Sequence, residues 1–374
     1  MDYSELLPQL IRAGLDGDRR TVEAIGLMAI KKLRRNEPSV ADQIANILAH
    51  NDIGASTMRA VGFQDPPKDR DTNLDLAVVD LKPILPVEPV FSNSLKAQID
   101  LFLRERLATE KFLSEGLNPP KSLLLIGPPG VGKTLLASVI AKTLQLPLIT
   151  LNLSSAISSY LGKTGQNLNK VLNYARNLPS VLLLDEFDAV AKRRDDPTDL
   201  GELKRIVNVL LKELETWPIG SIVLAATNHP NLLDPAIWRR FDKVINFELP
   251  QYPERVELFR VYLENKSIDA EDKIYHALGV LSDQLSPSDI SKLSERIKRR
   301  FILDGGEFSS ICFDELLKTC NVCNGNRGEM ARTIYNVLGR QVTTRELGKW
   351  LGIEHSTVSY HLNKGKKEGE DLGK

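Results

Sequence analysis

The chain has 374 residues, 42% apolar and 26% charged, an ordinary globular mixture with room for two or three domains of about 100–200 residues each. Lys and Arg number 49, as do Asp and Glu, so no global field draws the molecule to nucleic acid or to an anionic membrane, and such contacts require a local patch. Three cysteines exclude a disulfide framework, and the absence of a basic secretory leader or of an apolar run near the roughly 20 residues of a membrane span predicts a cytoplasmic protein with no membrane partner.

In chain order, residues 1–53 carry apolar side chains in helical rhythm (Leu6, Leu10, Ile11; Val22, Ile25, Ile30, Leu33; Ile44, Ile47, Leu48) and predict a small helical module. It reads equally as a packed hairpin or as an adaptor that receives a substrate or partner. Residues 54–90 lose that rhythm, and Pro66, Pro67, Pro83, Pro86 and Pro89 remove donors and fix φ, so they predict a linker. Residues 91–250 alternate amphipathic stretches with bare apolar runs: SLLLI, PLITLNL, SVLLLD, SIVLAATN and KVINFEL. Such runs suit strands covered on both faces, hence an α/β domain with a doubly wound parallel sheet. Residues 251–305, containing PERVELFRVYLENK, hold no strand candidate and predict a helical lid. Two short helices near 311–319 and 327–339 make 306–341 a helical connector, 342–366 forms a terminal helical unit, and the tail 367–374 is low in apolar content and predicted disordered. The sheet domain is thus flanked by small all-α modules.

Gly127, Pro128, Pro129, Gly130, Val131, Gly132, Lys133 and Thr134 spell G-x-x-x-x-G-K-[ST] between the strand SLLLI and the helix TLLASVIAKTL, the context that makes the pattern specific for a P-loop nucleotide site. Glycines let backbone N–H groups approach the phosphates of ATP, and the helix N-terminus adds a favourable field. Lys133 would reach the β- and γ-phosphates and Thr134 would hold Mg²⁺. Asp185 and Glu186 end a buried strand, where two adjacent carboxylates are costly unless used. Asp185 is expected on Mg²⁺, Glu186 on the attacking water, and Asn228, ending SIVLAATN, beside them to orient that water.

Taken together, GPPGVGKT, VLLLDEFDAV and ATNHPNLLDPAIWRRFD, in this order and spacing, closely resemble the AAA ATPases, the branch that holds katanin-, spastin- and FtsH-like motors, over roughly residues 90–300. The resemblance implies a ring, usually of six copies, with Asn228 as the sensor asparagine and Arg239 and Arg240 as arginine fingers reaching the neighbouring copy's γ-phosphate. Asn152 matches the position that restrains the catalytic glutamate. The stretch SPSDISKL, 286–293, is similar to the family's segment near adenine, but Pro287 and Ser288 replace its usual Gly-Ala.

The same resemblance explains SSYLGKTGQ, whose Gly-Lys-Thr is no second phosphate loop. Tyr160, Leu161 and Gly162 resemble the aromatic-hydrophobic-glycine pore loop that grips an extended polypeptide, the aromatic for tolerant contact and the glycine for swing. Base stacking by Tyr160 on a single strand is the rival reading, and Arg193 and Arg194 would serve either polymer. Cys320 and Cys323 have CxxC spacing without a second pair, which favours ordinary thiols over zinc.

TTRELGKWLGIEHSTVSYHL, 343–362, resembles a helix-turn-helix, with Leu347 and Leu351, then Val358 and Leu362, one turn apart and Gly352 at the turn. On DNA, Ser356, Thr357, Tyr360 and His361 would face bases or phosphates, while Glu354, Glu368, Glu370 and Asp371 dilute the positive field. The leading expectation is a ring-forming ATP hydrolase that remodels or unfolds a protein substrate. Lacking HExxH, it would need a separate protease partner for degradation. A DNA-directed ATPase and a nucleotide-gated recruitment scaffold are the alternatives.

Overall fold

The computed structural model describes residues 66–69, 75–85, 87–153, 164–189, 210, 212–233, 235–264, 271–319 and 325–371, with isolated positions before residue 66. The chain divides into two units, Met1–Asp65 and Pro66–Lys374. Of the first, Ile25 and Leu33 are buried helical residues.

In the second unit all five apolar runs become strands. The six-stranded sheet comprises β1 (Val78–Asp80), β2 (Ser122–Ile126), β3 (Leu148–Asn152), β4 (Val181–Asp185), β5 (Ile222–Thr227) and β6 (Lys243–Asn246), in the order β1-β3-β4-β5-β2-β6. Every residue of β2 and β5 is buried, as central strands covered on both faces must be. The register pairs Asn152 with Asp185, Leu184 with Ala225 and Ile126 with Thr227, so the carboxyl ends of β3, β4, β5 and β2 lie level and their loops emerge on one edge. Strand β1 lies within the stretch read as a linker and adds one antiparallel strand to the parallel sheet. It pairs antiparallel with β3 and covers that strand's open edge. Just before it, Leu76 N–H donates to Pro67 O (2.8 Å) and Asn167 Nδ2 to Asp69 Oδ2 (2.6 Å).

Helices α1 (Asn93–Leu107), α2 (Thr109–Ser114), α3 (Lys133–Leu144), α4 (Thr164–Arg176) and α5 (Pro235–Trp238) belong to the sheet layer. Ile99 and Phe102 of α1 and Leu136 and Ile140 of α3 pack with Leu123, Leu183 and Leu224 of the strands into one core.

A second core is built by helices alone: α6 (Tyr252–Leu263), α7 (Asp272–Leu281), α8 (Pro287–Asp304), α9 (Phe308–Thr319), α10 (Arg327–Leu338), α11 (Thr344–Leu351) and α12 (His355–Asp371). Phe259, Ile290, Leu293, Phe313, Ile334, Leu347, Leu351 and Val358 share it, so the stretches expected as lid, connector and terminal unit form one continuous helical body. Phe313 of α9 stacks on Trp350 of α11, with centroids 5.8 Å apart. A polar seam reinforces the join: Arg327 donates to Leu351 O at the end of α11 and to Asp314 (2.9 Å), and Arg300 of α8 donates to Glu315 (3.1 Å).

The α11–α12 turn forms as the sequence implies. Gly352 is left-handed at φ 60°, and a Cβ on Gly348 would lie 2.7 Å from Ile353 O. Helix α12 then continues to Asp371, into the stretch whose composition predicted disorder, because Lys and Glu are also good helix formers. Cys312 is buried in the helical core, which pushes its thiol far above the usual range, and Cys320 and Cys323 lie outside the described residues. No described helix is long and apolar enough to cross a membrane.

Thr343 caps α11 reciprocally with Glu346, and Lys273 of α7 donates to the same carboxylate at 3.0 Å. The Thr343 backbone N–H, then Lys273 and the Thr343 hydroxyl, pull Glu346 down to about 2. A depressed carboxylate contributes stability that is complete above its unfolded pKa and is lost as pH falls through the folded one. Glu346→Gln keeps the cap but removes the charge that the Thr343 N–H and Lys273 engage, and is therefore expected to cost about 1 kcal/mol at neutral pH, the margin of a charge-assisted hydrogen bond over a neutral one. In urea melts the gap should narrow below the ordinary carboxylate range, and a gap that stays constant under acid contradicts this role.

Candidate nucleotide-binding site

The loop between β2 and α3 turns on glycine. Gly132 occupies the left-handed region at φ 101° as the N-cap of α3, and a Cβ on Gly130 would lie 2.7 Å from Ser286 Oγ. Lys133, the first residue of α3, is buried, and a buried ammonium requires acceptors. Its Nζ donates to Gly127 O (2.7 Å), Pro128 O (2.8 Å) and Asn228 Oδ1 (2.6 Å). Burial lowers its pKa to about 8, against the opposing pull of Asp185 and Asp188. The next residue, Thr134, donates through Oγ1 to Asp185 Oδ2 at 3.2 Å, joining the helix to the end of β4.

Asp185 also accepts the Glu186 N–H at 2.9 Å. Glu186 itself has φ 53°, a left-handed conformation that costs an L-residue on the order of 1–2 kcal/mol. That reversal directs Phe187 into the core, where its N–H donates to Ala226 O (2.8 Å). Asp188 is buried and accepts from Thr227 Oγ1 (3.2 Å), which in turn accepts the His229 N–H (3.0 Å). Hydroxyl and carboxylate oxygens therefore stand at Thr134–Asp185, a donor set suited to Mg²⁺, beside a cation suited to phosphate.

A cleft of about 330 Å³ adjoins the loop, with Val131 and Leu135 on one side, Leu258, Tyr262 and Pro287 on the other, and Val90 at its mouth. The lid closes on the phosphate loop directly: Ser288 N–H, in the first turn of α8, donates to Gly130 O at 3.1 Å. Ser288, one of the two residues that replace the family's usual Gly-Ala, thus meets the phosphate loop through its backbone.

Beyond β5, Phe241 meets Phe187 edge-on at 6.1 Å, and Asp242 accepts from Lys121 N (2.8 Å), Ser122 N (2.9 Å) and Ser122 Oγ (2.8 Å). Both contacts pin the segment that carries Arg239 and Arg240, and both arginines are exposed. Arg240 pairs with Glu215, whereas Arg239 makes no ion pair among the described residues.

Residues 123–249 match the ATPase family associated with various cellular activities (AAA). They form an AAA ATPase domain. Similar proteins include an uncharacterized AAA family ATPase of Sinorhizobium fredii, 44% identical over 40% of this chain and 45% of the relative. They also include the proteasome-activating nucleotidase of Archaeoglobus fulgidus, 36% identical over 50% of this chain and 48% of the relative, and that of Thermococcus kodakarensis, 30% identical over 64% and 60%. The chain spans about half the length of the curated relatives it matches.

Within the AAA domain the structure brings Gly127–Thr134, Asp185, Glu186 and Asn228 to one edge of the sheet, with Asn152 opposite Asp185 in the β3–β4 register. Tyr160, Leu161, Gly162, Arg193 and Arg194 lie outside the described residues. In the terminal unit Ser356, Thr357 and Tyr360 are exposed, but His361 is half-buried against α10, where a Cβ on Gly328 would run into its ring. Its ring also meets that of Tyr360 edge-on at 5.5 Å. Sequence reasoning missed Asp188 and Thr227. The second acid of DEFD and the threonine before Asn228 were the visible signals.

An anion beside Lys133 raises its pKa, so a phosphate ligand should be bound with proton uptake above about pH 8, and its affinity should fall as pH rises further. Calorimetric titration of ADP in buffers of different ionisation enthalpy measures this linkage. Uptake should vanish in Lys133→Met; equal uptake in wild type and variant contradicts the assignment.

Proposed function

We propose that the chain hydrolyses Mg²⁺–ATP and couples the reaction to remodelling of a protein substrate within a ring of identical copies. The observation that carries the reading is the convergence of Lys133 on Asn228 (2.6 Å) and of Thr134 on Asp185 (3.2 Å) at the level ends of β2, β4 and β5. Bound nucleotide supplies the phosphoanhydride, with Thr134 and Asp185 holding its metal. Lys133 gives its ammonium to the phosphates, Glu186 polarises the attacking water and Asn228 orients it. The cleft between Val131 and Tyr262 takes the adenine base, and apolar walls of this kind suit a flat heterocycle.

Arg239 is the better placed of the two arginine fingers, because it is exposed and free of an ion pair among the described residues, while Arg240 is held by Glu215. The family resemblance implies that such a finger serves a neighbouring copy. Protein is favoured as the substrate by similarity to proteins named proteasome-activating nucleotidases, with a separate protease as partner and Tyr160-Leu161-Gly162 as the gripping loop. The exposed Ser356, Thr357 and Tyr360 favour DNA docking as the second reading.

Glu186→Gln should retain ATP binding and lose turnover by at least about 10²-fold, the usual contribution of a general base. Tyr160→Ala should keep its ATPase and lose unfolding of a fluorescent protein substrate. Unfolding that survives Tyr160→Ala, or ATPase stimulated by duplex DNA and indifferent to unfolded protein, would shift the reading to DNA.

A further inference from the structure

The terminal helices hold a polar cavity of about 310 Å³ that neither reading above uses. It is lined by Arg332, Tyr335 and Asn336 of α10, by Thr344 of α11, and by Ser359 and Asn363 of α12. Helical spacing explains the convergence, since 332, 335 and 336 share one face of α10 and 359 and 363 stand one turn apart on α12. The frame is firm. One turn before Arg332 a Cβ on Gly328 would lie 2.2 Å from the His361 ring, so α10 and α12 meet closely there, and Tyr335 packs against the helical core.

The lining is chemically one-sided: a guanidinium, a phenol, two carboxamides and two hydroxyls border the cavity, and none of its described lining residues is a carboxylate. Ser359 donates its hydroxyl to His355 O (2.9 Å), whereas Asn336, Thr344 and Asn363 keep their side-chain donors uncommitted among the described residues. Of the nearby acids, Glu329 is exposed and does not line the cavity, and Glu346 is engaged by the α11 cap and by Lys273. Exposed Arg345 and Lys364, each next in sequence to a lining residue, add positive field. Such a set offers a cation no counter-charge and an anion many donors. Charge-assisted bonds are the strong ones, and a tetrahedral phosphoryl group presents acceptors in several directions, as donors arriving from three helices require. A flat carboxylate would leave part of the set unmatched.

We infer that the cavity between α10, α11 and α12 binds a phosphoryl group, with Arg332 as its ion-pairing residue and Asn336, Thr344 and Asn363 as hydrogen-bond donors. The site lies outside the AAA domain and is independent of the hydrolysis reading. A free phosphate monoester and a nucleic-acid backbone carry the same group. The test uses the full chain saturated with Mg²⁺–ADP, so that the phosphate loop is filled, and follows calorimetric binding together with hydrogen–deuterium exchange of peptides from α10 and α12. Glycerol 3-phosphate is the free probe, glycerol its neutral control and a short DNA duplex the polymeric probe. At least one phosphorylated probe is expected to bind and to slow exchange in both helices, while glycerol does neither. Arg332→Gln should weaken that binding at least about tenfold, the scale of a lost hydrogen bond to a charged group. Asn363→Leu, at an exposed position, should weaken it as well and keeps the test open if Arg332→Gln fails to fold. Both variants should retain the wild-type rate of ATP hydrolysis. Binding of glycerol 3-phosphate supports a soluble ester as the source, and binding of the duplex alone supports nucleic acid. No protection of α10 and α12 by either probe, or affinity unchanged in both variants, overturns the site.

Discussion

The site depends on the placement of one buried ammonium. Lys133 satisfies its charge with two carbonyls of its own loop and with the amide oxygen of Asn228 at the end of β5, and a cation with fewer partners could not remain inside. That requirement fixes the loop against the strand beside β2, which is where parallel pairing of Ile126 with Thr227 has already delivered it. Once Lys133 is set, Thr134 follows on the first turn of α3 and meets Asp185 one strand further on. Helix α3 thus supplies Lys133 and Thr134, β4 supplies Asp185 and the residue just past β5 supplies Asn228, with the loop after β2 holding the lysine among them.

Much of this was legible in the sequence because central parallel strands leave an unmistakable trace. SLLLI and IVLAAT have no polar face at all, and the phosphate-loop pattern between strand and helix is enough to place the lysine. The terminal turn was equally plain in Leu347, Leu351, Gly352 and Val358. Strand β1 was not, for three residues with a largely exposed Val78 carry no periodicity and borrow their structure from β3. Asp188 was visible only as the second acid of DEFD, and its burial and its hydrogen bond from Thr227 are what set it apart from a surface acid. His361 sat on the right helix, yet which face it occupies is decided by Gly328 on α10, thirty-odd residues away, and no local pattern encodes that.

Neighbouring residues of one type can have different fates. Arg239 and Arg240 are adjacent and both exposed, and the motif around them treats them alike. Glu215 engages only the second, while Phe241 and Asp242 hold the backbone of both against the sheet. The first arginine is therefore presented on a rigid mount with its guanidinium uncommitted among the described residues, a combination that side-chain type alone could not distinguish.

Helix α8 touches the phosphate loop through Ser288 at its start and holds Glu315 through Arg300 near its end. Its 18 residues span about 27 Å at 1.5 Å per residue. A pitch of about 10° about the Gly130 end would sweep the distal end through roughly 5 Å on a rod of that length. Because α9 to α12 share a common interior with that rod, Tyr360 would ride with it, and the helical body would turn a small adjustment at the phosphate loop into travel on the scale of a whole side chain at its far end.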